Sequence, residues 1–487
     1  MDVITKYLKD KSLLKTLCFI DGEWIDSAAG KYFEIVNPFS NSKIADIPQL
    51  TDSQVEEAIL AASAAFKTWK NVLVTERTVL LKKWNDLILE NVEDLAKIMV
   101  LEQGKPLKEA IAEIKYSASY IEFYAEEAKR IYGDILPSPF HNTRIFIVKQ
   151  PVGVVGIITP WNFPAAMLMR KVAPALASGC TCIVKPDKNT PLTALALIEL
   201  AVRAGIPKGV INMITGDSAK IGEAFTNSSL VKKISFTGST EVGKLLMKNS
   251  SRTLKKITLE LGGNAPFIVF EDANINNAID GLIESKFRNA GQTCVCANRV
   301  FIHKSILTEF CIMLTEKVAK LKVGNGLENN DIGPLINQEA IQKIERLVFD
   351  AICKGATVLL GGKRHELGNQ FFEPTILSGI SVDMDIFCAE IFGPVLAISS
   401  FDTIDEVITL ANDTKQGLAS YFYSSDMNNI WKVAEELEYG MVGVNSGAIS
   451  SALIPFGGVK ESGFGREGSK YGIEEYLNIK YIHLKNT

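Results

Sequence analysis

The sequence has 487 residues, of which 47% are hydrophobic and 22% are charged, so it is long enough for two or three globular domains. Its formal net charge of −4 and its lack of a basic stripe argue against nucleic-acid binding. Eight cysteines without a paired spacing indicate reduced thiols rather than a disulfide framework. No run approaches the ~20 apolar residues that a membrane span requires, so no membrane partner is predicted.

The amino-terminal segment, residues 1–14, alternates charged and apolar side chains. It lacks the uninterrupted apolar core of a secretory signal. It also carries acidic residues and no arginine, unlike a mitochondrial presequence. We therefore expect the protein to act in the cytoplasm.

The first third of the chain predicts a hairpin, a helical layer and a ribbon. Residues 19–25 contain an Asp-Gly pair between apolar flanks, which predicts a β-hairpin. Residues 51–127 repeat apolar side chains at helical spacing and predict helices that cover a sheet. Residues 131–148 hold two β-like runs that cannot bury both faces within one domain. An ordinary edge hairpin is the alternative for this last stretch.

Two regions of alternating strands and helices follow, and both predict an α/β architecture. Short apolar runs separated by helical segments argue for parallel strands with right-handed crossovers. The first set of predicted strands is 152–158, 180–184, 209–214, 233–236 and 257–259. The second set is 266–270, 299–302, 357–360, 395–400 and 441–444.

The polar segment 287–299 presents Cys294 next to Gly291 and Gln292 rather than in an apolar run. A glycine at position 291 would let the backbone approach a ligand closely. This setting makes Cys294 a candidate nucleophile, and an inert buried thiol is the alternative. The four histidines lie in no site-like segment, which argues against a cysteine–histidine hydrolase.

Two further polar side chains follow predicted strands. Glu260 ends an apolar run and meets two glycines, so burial would raise its pKa toward the range of a general base. A simple helix-capping role is the alternative for Glu260. Asn162 lies between two prolines, whose rigidity would fix its amide as a donor to an oxyanion.

Six motifs occur in the order and at the spacing found in the aldehyde dehydrogenase superfamily, which the chain resembles over nearly its whole length. The segments around Arg170, Cys294 and 456–476 are most similar to the succinate-semialdehyde dehydrogenases. The motifs are Pro160-Trp161-Asn162-Phe163-Pro164, Phe236-Thr237-Gly238-Ser239, Glu260-Leu261-Gly262-Gly263, Gly291-Gln292-Thr293-Cys294, Glu390-Ile391-Phe392-Gly393-Pro394 and Pro455-Phe456-Gly457-Gly458.

The resemblance implies a Rossmann-type cofactor domain, an α/β catalytic domain and a small β arm for oligomerisation. The expected cofactor domain covers residues 1–130 and 147–258, and the catalytic domain covers residues 259–446. The arm covers 131–146 and 470–487, with 447–469 as a linking segment at the substrate site. A homo-oligomer, either a dimer or a tetramer, is expected.

The resemblance also implies catalytic and cofactor-binding residues. Cys294 would attack an aldehyde, Asn162 would hold the oxyanion, and Glu260 would activate the water that hydrolyses a thioester. A simple αβ turn is the alternative for the glycines at 238 and 243, and a strand-entry turn is the alternative for 390–394. The expected cofactor contacts are Trp161, Asn162, Lys185, Pro186, Asp187, Lys188, Gly238, Ser239, Leu261, Glu390 and Phe392.

The prediction of the cofactor rests on the residue at position 188, which is Lys188. Members of the superfamily that prefer NAD commonly have a glutamate at this position to hold the ribose hydroxyls. A lysine would instead attract a 2′-phosphate, so the sequence predicts NADP over NAD. A pair between Asp187 and Lys188 would leave the site able to take both.

The expected substrate is succinate semialdehyde, whose carboxylate would meet Arg170, Arg288 and Ser450. Surface ion pairs are the alternative for the arginines.

Cys296 would form a regulatory disulfide with Cys294, or be a loop thiol without a role. No metal site is expected. Rival functions are oxidation of glutarate semialdehyde or another short aldehyde, a silent protein on the same fold, and a cofactor-free hydrolase.

Overall fold

The computed structural model describes residues 2–368 and 370–486, which form 16 α-helices and 22 β-strands. Met1 and Thr487, the ends of the predicted cofactor domain and arm, lie outside the described residues, as does Asn369 of the predicted catalytic domain. The helices are α1 (Asp2–Thr5), α2 (Asp52–Trp69), α3 (Val74–Glu90), α4 (Val92–Gln103), α5 (Leu107–Glu127), α6 (Ala166–Ser178), α7 (Pro191–Ala204), α8 (Ser218–Asn227), α9 (Thr240–Ser250), α10 (Ile275–Phe287), α11 (Leu307–Val318), α12 (Gln338–Cys353), α13 (Asp385–Cys388), α14 (Ile404–Asn412), α15 (Met427–Glu436) and α16 (Ser469–Glu474).

The strands build two large sheets, one three-stranded sheet and two short ribbons. They are β1 (Cys18–Ile20), β2 (Glu23–Ile25), β3 (Tyr32–Val36), β4 (Lys43–Pro48), β5 (Asp134–Leu136), β6 (Thr143–Pro151), β7 (Val154–Ile158), β8 (Thr181–Lys185), β9 (Ile211–Met213), β10 (Val231–Thr237), β11 (Lys256–Glu260), β12 (Ala265–Val269), β13 (Ala297–His303), β14 (Thr357–Leu360), β15 (Thr375–Ser378), β16 (Val395–Phe401), β17 (Gln416–Gly417), β18 (Ala419–Tyr423), β19 (Met441–Val444), β20 (Val459–Lys460), β21 (Gly463–Phe464) and β22 (Leu477–Lys485).

The first large sheet has the strand order β2-β1-β9-β8-β7-β10-β11-β21. Its five central strands are β9, β8, β7, β10 and β11. They are parallel, which confirms the prediction for this region. The predicted hairpin is also confirmed, and it adds β1 and β2 to one edge in antiparallel pairing. The carboxyl ends of β7, β8, β10 and β11 lie side by side. An α/β sheet binds ligands at such an edge.

The predicted helical layer is confirmed as α2 to α5. Helix α2 begins with a capping box, in which Thr51 and Gln54 satisfy each other's backbone N–H groups. Trp69 and Trp84 are almost fully buried and pack into the same apolar core as α6 and α7. No helix within residues 2–368 and 370–486 is long and apolar enough to cross a membrane.

The second large sheet has the order β14-β15-β16-β13-β12-β18-β19 and carries the segment with Cys294 between α10 and β13. Strand β14 pairs antiparallel, and the other strands are parallel. The sequence did not predict β15 and β18. Strand β18 is fully buried and lies between β12 and β19, so the predicted sheet lacked one of its inner strands.

The predicted ribbon and the carboxyl-terminal segment pair with each other. Strand β22 runs antiparallel to β6 along nine residue pairs, and β5 covers the other edge of β6. Strand β6 extends to Pro151 and therefore crosses the predicted boundary between residues 146 and 147. Apolar side chains on this sheet face outward, among them Ile135, Ile479 and Tyr481, which are 70%, 74% and 65% exposed.

Lys233 on β10 is a buried cation with a weak partner. Its Nζ lies 3.8 Å from Glu475 Oε2 and 5.1 Å from the ring centroid of Tyr476, and it makes no hydrogen bond within the described residues. Burial lowers the pKa of Lys233 from its ordinary 10.5 to about 7. The unfolded chain therefore binds more protons than the folded chain between pH 7 and 10.5, so this residue makes stability increase with pH across that window.

We expect Lys233→Met to raise the free energy of unfolding at pH 7 by about 1–4 kcal/mol, because methionine removes the cost of burying a charge. The gain should shrink as the pH approaches 10, where the folded-state lysine is already neutral. Urea unfolding of both proteins at pH 7 and pH 10 measures the difference. A gain that grows with pH would contradict the assignment.

Candidate active site

The segment that carries Cys294 is shaped by three consecutive residues with positive φ. Asn289, Ala290 and Gly291 have φ angles of 52°, 54° and 75°. Two of them are not glycine, and such conformations are sparsely populated for residues with a Cβ. A Cβ at Gly291 would collide with the carbonyl oxygen of Gly393, so this position also requires glycine for packing, and the close approach of a ligand stays a prediction. The glycine is needed for packing between two loops.

Two cavities meet at Cys294. The first has a volume of about 270 Å³, and the second has a volume of about 350 Å³. Both are lined by Cys294 and by Met167 of α6. Cys294 is only partly buried, and a group in either cavity would reach its thiol. Burial raises the pKa of Cys294 to about 12, while the positive charge of Arg170 acts in the opposite direction.

The first cavity brings together the three predicted substrate residues, Arg170, Arg288 and Ser450. Arg170 is 1% exposed. Its Nε lies 2.7 Å from Glu467 Oε2, and its guanidinium carbon lies 3.7 Å from the ring centroid of Phe456. Nη2 of Arg170 and Nε of Arg288 are buried and have no hydrogen-bond partner within the described residues. Such nitrogens are costly to leave unpaired, and an anion in the cavity would satisfy them.

The second cavity contains most of the predicted cofactor residues. Its lining includes Trp161, Asn162, Gly238, Ser239, Leu261, Glu390 and Phe392. Ser239 caps α9, where its side-chain oxygen accepts a hydrogen bond from the backbone N–H of Val242, and the helix N-terminus beside it favours an anion. Phe392 has a φ angle of 58°, and its ring meets Trp161 edge to face.

Glu390 lines the second cavity and is partly buried. Its Oε1 accepts a hydrogen bond of 3.0 Å from the backbone N–H of Gly263, and burial raises the pKa of its carboxyl. A Cβ at Gly262 would lie 3.0 Å from Glu390 Oε2, so glycine keeps this space clear. A helix N-terminus and a carboxylate in the wall of one cavity fit the phosphates and a ribose of a dinucleotide.

The remaining predicted cofactor residues are Lys185, which ends β8, and Pro186, Asp187 and Lys188, which follow it, and all four are absent from the lining of the second cavity. Lys185 is 5% exposed, and burial lowers its pKa. Asp187 Oδ1 accepts hydrogen bonds from the backbone and side-chain amides of Asn189, at 2.9 and 2.8 Å. Lys188 is exposed and forms no ion pair with Asp187 within the described residues. Lys188 lies three residues after the last residue of β8, at the carboxyl end of that strand.

The side-chain amide of Asn162 is hydrogen-bonded to the segment that carries Cys294. Its Nδ2 donates a hydrogen bond of 3.0 Å to the carbonyl of Gln292, two residues before Cys294. An amide nitrogen carries two hydrogens, so one of them stays available to the second cavity, which Asn162 lines. The structure thus connects the Asn162 loop directly to the segment that carries the thiol.

Glu260 lines neither cavity. It is 4% exposed, and neither of its carboxylate oxygens has a hydrogen-bond partner within the described residues. Burial raises its pKa well above the ordinary value, and the neighbouring carboxylate of Glu467 raises it further. Arg170 and Lys171 oppose that effect. Desolvation and the nearby carboxylate thus both favour the neutral form of Glu260 over its ionised form.

Lys171 and Glu467 were not predicted from the sequence. Lys171 Nζ donates to Thr237 Oγ1 at 2.6 Å and forms an ion pair with Glu467, and both side chains are buried. These two residues lie 296 positions apart in the chain, so no local pattern joins them. Two adjacent cationic residues, Arg170 and Lys171, on an otherwise apolar helix were the available signal.

Cys296 is 4% exposed and lines neither cavity. Its Sγ lies 3.4 Å from the carbonyl oxygen of Gly291 and 4.0 Å from Lys286 Nζ. Burial raises its pKa, and Lys286 acts in the opposite direction. Both Cys294 and Cys296 are free thiols. The regulatory disulfide therefore stays a prediction.

Comparison with known proteins agrees with this geometry. The sequence model described as the aldehyde dehydrogenase family matches residues 24–482. The chain is 49% identical to a protein of Escherichia coli (strain K12) named succinate-semialdehyde dehydrogenase NADP(+) GabD, over 98% of this chain and 99% of that one. It is 52% identical to 3-sulfolactaldehyde dehydrogenase of Pseudomonas putida, over 98% of each chain.

A solved structure gives the same answer for the fold. The crystal structure of succinate-semialdehyde dehydrogenase from Burkholderia pseudomallei superposes with a TM-score of 0.98 at 51% identity, and the match covers 98% of this chain and 100% of that one. The predicted α/β fold, with a Rossmann-type and a catalytic part, is confirmed by this likeness and by the two sheets. The chain belongs to the aldehyde dehydrogenase family.

Proposed function

We propose that the protein oxidises succinate semialdehyde to succinate with reduction of NADP. The observation that carries this proposal is the first cavity, where Cys294 shares the lining with two arginines that have unpaired nitrogens. The substrate has an aldehyde at one end and a carboxylate at the other. A guanidinium group binds a carboxylate through directed hydrogen bonds, and Ser450 supplies a further donor in the same cavity.

The reaction begins at the thiolate form of Cys294, whose proton has gone to solvent, and its Sγ forms a bond to the aldehyde carbon while the carbonyl electron pair moves onto the oxygen. We assign the stabilisation of that oxyanion to the free amide hydrogen of Asn162 and to a backbone N–H near Cys294. The hydrogen bond from Asn162 to Gln292 fixes the amide before the substrate binds.

NADP, once bound, would supply the hydride acceptor, and loss of hydride from the substrate carbon would leave Cys294 carrying a thioester. Glu260 takes a proton from water, the water oxygen bonds to the thioester carbon, and the C–S bond breaks to release succinate. Because Glu260 lies outside the two cavities, its side chain must rotate toward Cys294 for this step. The residues that would hold NADP are Trp161, Asn162, Lys185, Pro186, Asp187, Lys188, Gly238, Ser239, Leu261, Glu390 and Phe392.

Arg288→Met tests the substrate assignment. We expect kcat/KM for succinate semialdehyde to fall about 10- to 100-fold, because a charge-assisted hydrogen bond is lost. Rates with acetaldehyde, which has no carboxylate, should change little. Arg346→Met, a change at an exposed arginine on α12, serves as the matched control. A wild-type enzyme that oxidises acetaldehyde as fast as succinate semialdehyde would contradict the role of the arginines.

Glutarate semialdehyde is the alternative substrate, because its carboxylate would meet the same arginines. The relative named 3-sulfolactaldehyde dehydrogenase adds a sulfonate to the range of anions worth testing. Initial rates with the two semialdehydes and with 3-sulfolactaldehyde, measured on the wild-type enzyme, rank the three. The highest kcat/KM identifies the preferred substrate.

Lys188→Glu tests the cofactor assignment. We expect kcat/KM for NADP to fall about 10- to 100-fold and that for NAD to rise, because the exposed ammonium group would pair with the 2′-phosphate. Lys67→Glu makes the same charge change on an exposed face of α2 and is the control. If the wild-type enzyme prefers NAD, the argument from Lys188 is wrong.

We also propose that the protein is a homo-oligomer, a dimer or a tetramer, that pairs through the arm. The exposed apolar side chains of β5 and β22 support this, since monomers rarely expose such a patch.

The cytoplasm is the proposed compartment, and the eight free thiols, all within the described residues, support it. The division into domains at residues 130, 146, 258, 446 and 469 remains part of the proposal.

A further inference from the structure

The main-chain carbonyl of Asn162 accepts hydrogen bonds from two side chains. Lys105 Nζ donates to it at 2.8 Å, and Asn289 Nδ2 donates at 3.0 Å. These donors come from distant parts of the chain, the loop after α4 and the segment before Cys294. A carbonyl held by two buried donors has little freedom to rotate, so the residue that carries it is fixed as well.

Lys105 is itself held firmly. It is 2% exposed, pairs with Glu113 at 2.5 Å, and has its Nζ 4.0 Å from the ring centroid of Phe163. Glu113 Oε1 also accepts hydrogen bonds from the backbone N–H groups of Ala165 and Ala166 at the start of α6. The same ion pair therefore holds both the Asn162 loop and the helix that follows it.

Asn289, the second donor to the main-chain carbonyl of Asn162, is also held in place. Its left-handed backbone is secured by Glu109, which accepts from its N–H at 2.7 Å, and by Gln103, which donates to its Oδ1 at 2.9 Å. Its Nδ2 also lies 3.2 Å from the carbonyl of Gln292. Asn162 Nδ2 donates to that same carbonyl. One asparagine thus joins the Asn162 loop to the segment that carries Cys294.

We propose that Lys105 and Asn289 are positioning residues. Their hydrogen bonds to the main-chain carbonyl of Asn162 hold the side-chain amide of Asn162 where it can stabilise the oxyanion. The inference rests on the proposed function, which assigns the oxyanion to Asn162. Neither residue touches the reacting atoms. Each acts by fixing a loop whose displacement by ~1 Å would cost about 100-fold in rate.

Two variants remove one donor each. Lys105→Met keeps a long unbranched side chain and removes the charge. Asn289→Gly tolerates the φ angle of 52° and removes the amide. Lys255→Met is the control for the first variant, because Lys255 likewise donates to two backbone carbonyls, those of Ser228 and Val231. Asn41→Gly is the control for the second, because Asn41 also has a left-handed backbone and a side-chain hydrogen bond.

The readouts are the rate of the first turnover and the cofactor-free hydrolysis of p-nitrophenyl acetate. We expect both positioning variants to lower both rates about 10- to 100-fold. A loss in the cofactor-free reaction does not depend on how well NADP binds. Both control variants should keep wild-type rates.

Each change is then repeated in an Asn162→Ala background. If Lys105 and Asn289 act through Asn162, the second change costs less than about twofold there. If each change lowers the rate as much in the Asn162→Ala background as in the wild-type enzyme, the inference is wrong and the proposed function is unaffected. An Asn162→Ala enzyme with a normal first turnover would overturn the oxyanion assignment itself. Should Lys105→Met fail to fold because Glu113 is left buried without its cation, Asn289→Gly decides the question alone.

Discussion

Replacing Cys294 with alanine is expected to lower kcat for aldehyde oxidation by about 10⁴-fold or more, because no other thiol lines the two cavities. The loss should appear in the first turnover, before any product is released. Binding of NADP, followed by protein fluorescence, should be unchanged, since Cys294 forms only one part of the wall of the second cavity. Rapid mixing with succinate semialdehyde measures the first turnover directly.

Cys296→Ala is the matched control, because it removes a buried thiol two residues away that reaches neither cavity. We expect it to keep at least about half of the wild-type rate. Equal losses in the two variants would show that the rate depends on the packing of this segment rather than on nucleophilic attack.

The pKa of Cys294 also sets the pH dependence. Burial raises it to about 12, so only a small fraction of the thiol is ionised at pH 7. Raising the pH increases that fraction, and we expect kcat/KM to rise from pH 7 to pH 9.

Replacing Glu260 with glutamine is expected to lower steady-state kcat about 10²- to 10⁴-fold and to leave the first turnover nearly intact. Glutamine has the same shape but cannot take a proton from water, so the thioester on Cys294 would accumulate. A burst of reduced cofactor close to one per active site, followed by a slow phase, is the expected trace. Mass spectrometry of the stopped reaction should find the acylated cysteine.

Glu474→Gln is the control for Glu260, since Glu474 is an exposed carboxylate in an ion pair with Lys149. It should leave both phases at wild-type rates. Unchanged steady-state turnover in Glu260→Gln would exclude the role of general base. If Glu260→Gln showed no burst of reduced cofactor, Glu260 would instead be needed to activate the Cys294 thiol.

The sequence allowed much of the fold to be predicted, because strands and helices alternate with local periodicity. The parallel strands around β7 and the helices α2 to α5 followed from such patterns. Strands β15 and β18 did not, since a buried strand of four or five residues resembles any other short apolar run. Long-range pairing, rather than local preference, decides that these two segments are strands.

For the candidate site, the sequence identified side chains at strand ends and in glycine-rich turns. It could not identify Lys171, Glu467 or Lys105, because their importance comes from partners far away in the chain. Gly291 shows a second limit. The requirement for a glycine was predicted, but its cause, contact with Gly393, depends on how two loops meet.

Strand β21 has a consequence for how the protein folds during its synthesis. It pairs with β11, the strand that ends at Glu260, yet Gly463 leaves the ribosome some 200 residues later. Until then β11 has an unpaired edge, which is the kind of surface that recruits other chains. The nascent protein must therefore keep this edge protected while the whole second sheet is being made, and a prematurely ended chain would be prone to aggregate.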